Sequence, residues 1–169
     1  MRVSVESGSS IGGLLNYVRD EYSFAYSVDP GERGKMFDRA GDEGPTSVLI
    51  GMLQVEVGAE TGAALFAWGY HPHINWQDGH LPQPVATPGI VRFDEDFTYA
   101  VSVSVAAPME WATTRDVSSG WLRVAPVGSP VDEALVEIAT DVLLGHRDGE
   151  FAAVWLRPTV VDSLGEDDD

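Results

Sequence analysis

No cysteine occurs anywhere in the 169 residues, so this chain folds without disulfides or zinc–thiolate clusters. Apolar burial has to supply the cohesion. A domain of this length buries about two-thirds of its unfolded surface. The 44% hydrophobic content is enough to fill such a core. The same absence excludes a cysteine nucleophile and fits a reducing compartment. Residues 1–161 read as a single domain, and residues 162–169, ending in Glu166-Asp167-Asp168-Asp169, as an acidic tail. The opening Met1-Arg2-Val3-Ser4-Val5-Glu6 lacks the apolar stretch of a signal peptide, and no apolar run approaches the ~18 residues of a membrane span. The expectation is a cytoplasmic protein with no membrane partner.

Patterning predicts an α+β fold: an antiparallel sheet of about five to seven strands with two main helices packed on one face. The first helix follows a cap at Ser9 or Ser10 and carries Ile11, Leu14, Leu15, Val18 and Tyr22 at helical spacing. The second starts at Ser129-Pro130-Val131-Asp132-Glu133, where a serine cap, a first-turn proline and first-turn acids coincide. Its stripe runs Val131, Leu135, Ile138, Val142, and Gly145 fits its C-terminal cap. Asp29 to Pro45 reads as a polar loop. Ser47 to Val57 reads as one strand, joined through Gly58-Ala59-Glu60-Thr61-Gly62 to a partner from Ala63 to Tyr70. Ile90 to Phe93 and Trp121 to Val124 are short strands. Phe97, Tyr99, Val101, Val103 and Val105 alternate with small polar residues, the cleanest period-two pattern in the chain, and Pro108 closes that strand. After the Asp148-Gly149 turn, Phe151 to Leu156 is apolar on both faces, as an interior strand is.

The charge balance is unusual: 27 acids against 10 Lys and Arg give a formal net charge of −17. Direct nucleic-acid binding and binding to anionic membranes need a positive footprint, so both are disfavoured, whereas a basic partner fits. Chemistry is sparse. His71-Pro72-His73 and His80, with Asp78 nearby, are the only residues of metal-ligand type that cluster, at the start of a proline-punctuated connection running to Gly89. The pair is similar to the His-x-His element of cupin barrels but lacks the glutamate and second motif that complete it. The other reading is a loop whose histidines bond to backbone or solvent. No Gly-x-Ser-x-Gly elbow occurs, and the glycines around Ser9 lack a Walker lysine. Trp68 and Trp155 lie in apolar strands. Trp76 and Trp111 lie in polar stretches, where tryptophan serves as a loop anchor or a partner contact.

The stretch from Gly120 to Leu156 resembles the deaminase-immunity family of bacterial polymorphic toxin systems, known as the immunity protein one family. The resemblance is carried by Gly120-Trp121-Leu122-Arg123-Val124-Ala125-Pro126, by Ser129 to Leu135, by Val142-Leu143-Leu144-Gly145, and by Ala152-Ala153-Val154-Trp155. The chain departs from that family in having His146-Arg147-Asp148-Gly149-Glu150 where a proline usually follows the helix-ending glycine. The resemblance implies a small α+β protein that is not an enzyme and needs no cofactor. Its implied partner is a cognate toxin domain with a basic cleft, a nucleic-acid deaminase or nuclease, whose active site it blocks by stoichiometric binding. On that reading the partner-binding residues are Trp76, Asp78, Asp94, Glu95, Asp96 and Trp111, exposed on connections that a rigid sheet presents. The rival reading is a small-molecule-binding or metal-dependent barrel using His71, His73 and His80.

Overall fold

The computed structural model describes residues 1–105 and 110–164, and strands dominate it. In chain order they are β1 (Val3–Ser7), β2 (Gly13–Val18) and β3 (Ser23–Val28), followed by a helix, α1 (Arg33–Ala40). The chain continues with β4 (Pro45–Ile50), β5 (Leu53–Gly58), β6 (Ala64–Tyr70), β7 (Gln77–Asp78), β8 (Ala86–Phe93) and β9 (Val103–Ser104). It closes with β10 (Trp111–Arg115), β11 (Leu122–Pro126), β12 (Ala134–Ala139), β13 (Val142–Arg147), β14 (Glu150–Leu156) and β15 (Thr159–Val161). No helix among the described residues is long and apolar enough to cross a membrane.

Two sheets result. The larger has the order β1-β8-β12-β13-β14-β11-β10-β7 and the smaller β15-β2-β3-β6-β5-β4-β9. They share one core, in which Val91, Val136, Ile138 and Val154 of the larger sheet join Leu15, Val48, Leu53 and Ala67 of the smaller. Bridges at Ile11–Ala139 and Ala63–Arg92 stitch the sheets together. At β9 and the first half of β10 they part and leave a cleft. A second apolar cluster of Leu81, Trp121, Ala125, Leu143, Ala153 and Trp155 covers the outer face of the larger sheet.

The α+β expectation of a sheet with two main helices on one face is therefore wrong. The segment expected as the first helix is β2 followed by a 3₁₀ turn, Arg19–Glu21. Leu15 and Tyr17 are buried at strand spacing, while Leu14, counted in the helical stripe, is 48% exposed. Gly13, which would weaken a helix, is required here: a Cβ would collide with the Ser27 carbonyl and the Tyr26 ring on β3. The segment expected as the second helix is a loop followed by the β12–β13 hairpin, turned at Thr140-Asp141 with Asp141 in the left-handed region (φ 63°). Apolar residues four and seven apart fit a helix, but Val136, Ile138 and Val142 are β-branched, and pairing with distant strands decides the matter. Gly145 lies within β13, where the absence of a side chain makes room for Glu133. The helix-and-turn elements that carry the family resemblance are thus strands.

Three smaller expectations also change. Asp29–Pro45 is not a loop, because it contains α1. Ser47–Val57 is not one strand but the β4–β5 hairpin, whose two-residue loop places Gly51 at φ 62°, the positive φ that a type II′ turn needs at its first central position. The alternating run Phe97–Val105 is mostly not strand. Ala100 turns the chain at φ 59°, Thr98 bridges Val101, and only Val103–Ser104 joins a sheet. Tyr99 lies over Gly44, whose lack of a Cβ admits the ring. Pro108 and the tail Glu166–Asp169 lie outside the described residues. The β5–β6 hairpin, the interior strand β14 and the Asp148-Gly149 turn, with both residues at positive φ, are as expected.

Candidate binding cleft

The cleft between the parted sheets has a volume of about 960 Å³. Each wall comes from a different part of the chain. The β4–β5 turn and Tyr70, at the end of β6, form one side. His71, Pro72 and Asn75 to Gln77 form the floor, and Glu110, Trp111 and Thr113 form the far side.

Tyr17 organises the floor. Its hydroxyl donates to the His71 carbonyl (2.9 Å) and accepts from the His73 backbone N–H (2.9 Å). Its ring lies 4.6 Å from Trp76 and 4.9 Å from Phe24. Asn75 and Trp76 donate backbone hydrogen bonds to Pro72 and His73, closing a 3₁₀ turn at His73–Asn75. The start of the long connection is thereby pinned down by backbone and aromatic contacts.

The His71 ring bonds through Nε2 to the buried Thr113 hydroxyl at 2.7 Å, tying the floor to β10. Burial pushes the His71 pKa down to about 4, so the ring is neutral at pH 7. Burial likewise raises the Tyr17 phenol, against the smaller lowering effect of its backbone bond at His73. Trp111 tilts against Phe151 at 5.6 Å. The indole nitrogens of Trp76 and Trp111 are buried without an acceptor among the described residues.

Of the residues singled out from sequence, Trp76, Trp111 and His71 meet at this cleft. The others do not. Asp78, on β7, is held by Arg115 at 2.9 Å. Asp94, Glu95 and Asp96 are exposed beyond β8, where the Asp94 N–H donates to the Arg2 carbonyl, and none of the three lines the cleft. His73 stacks on Tyr22 at 5.2 Å, and its Nδ1 lies 3.2 Å from the Tyr17 hydroxyl. His80 is 91% exposed and stands 3.6 Å from Asp116. His71 and His73 both pack on Trp76, whereas His80 stands apart from them beside Asp116. Among the described residues, no group of three His, Cys, Asp or Glu is placed to hold a metal.

Tyr17, Tyr70, Glu110 and Thr113 were not found from sequence. Tyr17 falls off the helical stripe through Ile11 and Leu15. The alternation Leu15-Asn16-Tyr17, read as a strand, was the signal that could have found it.

Electrostatically, most of the cations are already committed. Eight of the ten Lys and Arg side chains are held by carboxylates: Arg2, Arg19, Lys35, Arg92, Arg115, Arg123, Arg147 and Arg157. Arg39 is buried and donates to the Ser9 carbonyl at 2.7 Å. Many acids without a cation partner, among them Asp20, Glu21, Asp38, Asp94, Glu95 and Asp96, are exposed, although Asp116 is buried. No protein-family model matches this chain, and no curated protein matches it.

Proposed function

We propose that this chain is a non-catalytic binding protein that occupies and blocks a basic protein partner one to one, the immunity role against a toxin domain that the sequence resemblance implied. The helix on which that resemblance leaned is absent, so the reading rests on charge. The observation that carries it is the engagement of eight of ten cations in ion pairs in a chain of net charge −17, which leaves many acids, such as Asp20, Glu21, Asp94, Glu95 and Asp96, exposed without a cation partner. Such a surface steers a basic partner toward it and repels phosphate-bearing ligands. Toxins that act on nucleic acid need basic clefts, which makes them partners of the right sign. The cleft adds apolar area, and charge alone does not give tight binding.

The rival metal-dependent reading needs His71, His73 and His80 together, and His80 lies away from the other two beside Asp116, with no three such groups among the described residues placed to hold an ion. The test is co-expression with a candidate toxin domain recovered by pull-down from the native host. Growth should be restored, and inhibition of the purified toxin should titrate at about one to one. Loss or modification of the toxin at substoichiometric amounts would show an enzyme instead.

A further inference from the structure

The cleft has a chemical character that narrows what enters it. Tyr70, Trp76 and Trp111 present aromatic surface, and Met52 and Val105 add an aliphatic wall. No Lys or Arg is among the described residues that line it, and the exposed acid Glu110 is. His71 adds no positive charge, because it is neutral at pH 7. Outside the cleft, Tyr70 stands 6.4 Å from the Tyr22 ring, and Tyr22 follows directly on exposed Asp20 and Glu21.

We infer that the cleft receives an arginine-bearing extended segment of the protein partner, with a guanidinium seated between the aromatic rings and Glu110. Aromatic faces attract a cation through their quadrupole, and guanidinium stacks on them better than ammonium does. Glu110, an acid on the lining, offers charge-assisted hydrogen bonds, and the aliphatic wall suits the methylene stem. A volume of about 960 Å³ exceeds what one side chain fills, so the occupant includes neighbouring residues. The inference rests on the blocking role proposed above and names the chemistry of its contact.

The experiment uses the full chain, labelled with ¹⁵N, and a blocked hexapeptide carrying two arginines. The same peptide with citrulline in their place keeps the shape and removes the charge. The arginine peptide should shift the indole N–H signals of Trp76 and Trp111 and the amides of Gln77 and Thr113. The citrulline peptide should bind about ten-fold more weakly. Glu110→Gln and Tyr70→Ser, both at exposed positions, should each weaken binding about three-fold or more. Trp76→Phe, which keeps an aromatic ring against Tyr17, should weaken it less than Tyr70→Ser does.

Equal response to both peptides would overturn the inference, as would shifts confined to Asp94–Asp96 and other acids away from the cleft. Free argininamide binding as tightly as the peptide would also overturn it, because a polypeptide occupant would then be unnecessary. If the arginine peptide misses the cleft while the toxin domain is still captured one to one, this inference fails and the blocking role stands. If the peptide fills the cleft but co-expression gives no protection, the blocking role fails and the cleft assignment stands.

Discussion

Trp155 on the outer face and Trp76 and Trp111 at the cleft are held in opposite ways, while Trp121, packed beside Trp155, also has a buried indole N–H with no acceptor among the described residues. On the outer face, Trp155 donates its indole N–H to Glu133 at 2.9 Å, and Glu133 also takes a two-pronged bond from Arg123 at 2.8 and 3.1 Å. Arg123 in turn donates to the Pro130 carbonyl and Ser129 hydroxyl, so the 127–133 loop is fastened to the sheet. At the cleft, Trp76 and Trp111 are held by ring packing, and their indole nitrogens have no acceptor among the described residues. A satisfied, buried network specifies a structure and leaves little for a partner to bind. An aromatic wall beside an open cleft, not tied into such a network, is where binding energy remains available. The comparison assigns stability to the outer face and recognition to the cleft, and each assignment can be broken.

The largest effect is expected at Glu133. Its carboxylate is 1% exposed, and Glu133→Ala strands the Arg123 guanidinium and the Trp155 N–H in a dry site. Breaking one half of a buried pair costs about 3–5 kcal/mol, readable as a shift in the urea midpoint at unchanged slope. Replacing both partners, Arg123→Met with Glu133→Leu, should recover part of that loss, because neither charge is then left alone while the Trp155 N–H still lacks its acceptor. A loss below ~1 kcal/mol for the single change would show that water reaches the network, and the contrast with the cleft would collapse.

Acid separates the two clusters. Burial alone would raise the Glu133 pKa, but its bonds from Arg123 and Trp155 outweigh burial and hold it below the usual carboxylate range. Its contribution is present above the unfolded value of about 4.3 and is lost as pH falls through the lower folded value. His71 acts earlier. Its folded pKa is depressed from 6.5 to about 4, so its contribution is complete above pH ~6.5 and is lost as pH falls toward 4. A shift of that size corresponds to about 3 kcal/mol. Unfolding free energies measured from pH 7 to 4.5 should fall more steeply for the native chain than for His71→Gln. Parallel curves would mean that His71 is solvated and the cleft floor is not dry.

How much of this was readable in advance follows from where the deciding contacts lie. Asp148-Gly149, the Gly58–Gly62 turn and the two-sided run Phe151–Leu156 were legible because a few neighbouring residues decide them. The stripe Val131–Leu143 was misread because its spacing fits a helix, while its true partners, Ala86–Pro88 on β8 and the 151–156 strand beyond β13, are distant in sequence. The same distance hid Glu133. Its first-turn position looked like a dipole effect, and nothing local reveals that Arg123 and the vacancy at Gly145 receive it. Trp76 and Trp111 were legible as unusual tryptophans in polar stretches, but not as two walls of one cleft. Nor was it visible that Trp76 packs on Tyr17 and Phe24, which makes Trp76→Ala a test of stability as much as of binding.

Tyr70→Ser sharpens the contrast at the recognition end. Tyr70 is 44% exposed, so its loss should change stability by no more than about 0.5–1 kcal/mol while weakening partner binding. If Tyr70→Ser instead destabilised the fold as strongly as Glu133→Ala, the cleft wall would be as structural as the outer face.

The smallest expected effect belongs to Asp94 and Asp96. These acids are exposed but do not line the cleft, so their influence on a basic partner has to act at long range. Screening fixes where that can be seen: the Debye length is about 30 Å at 0.01 M salt and about 8 Å at 0.15 M. Reversing both charges, Asp94→Lys with Asp96→Lys, should lower the association rate by a factor on the order of a few at low salt, and the difference should shrink toward nothing at 0.15 M. The dissociation rate should stay as it was, because no contact has been removed. Glu110→Gln is the internal control, since a carboxylate at the cleft should change dissociation at both salt concentrations. If instead the double reversal speeds dissociation and Glu110→Gln leaves it unchanged, the acids beyond β8 are the contact surface and the cleft is not, and the division between the two clusters has to be redrawn around the opposite end of the larger sheet.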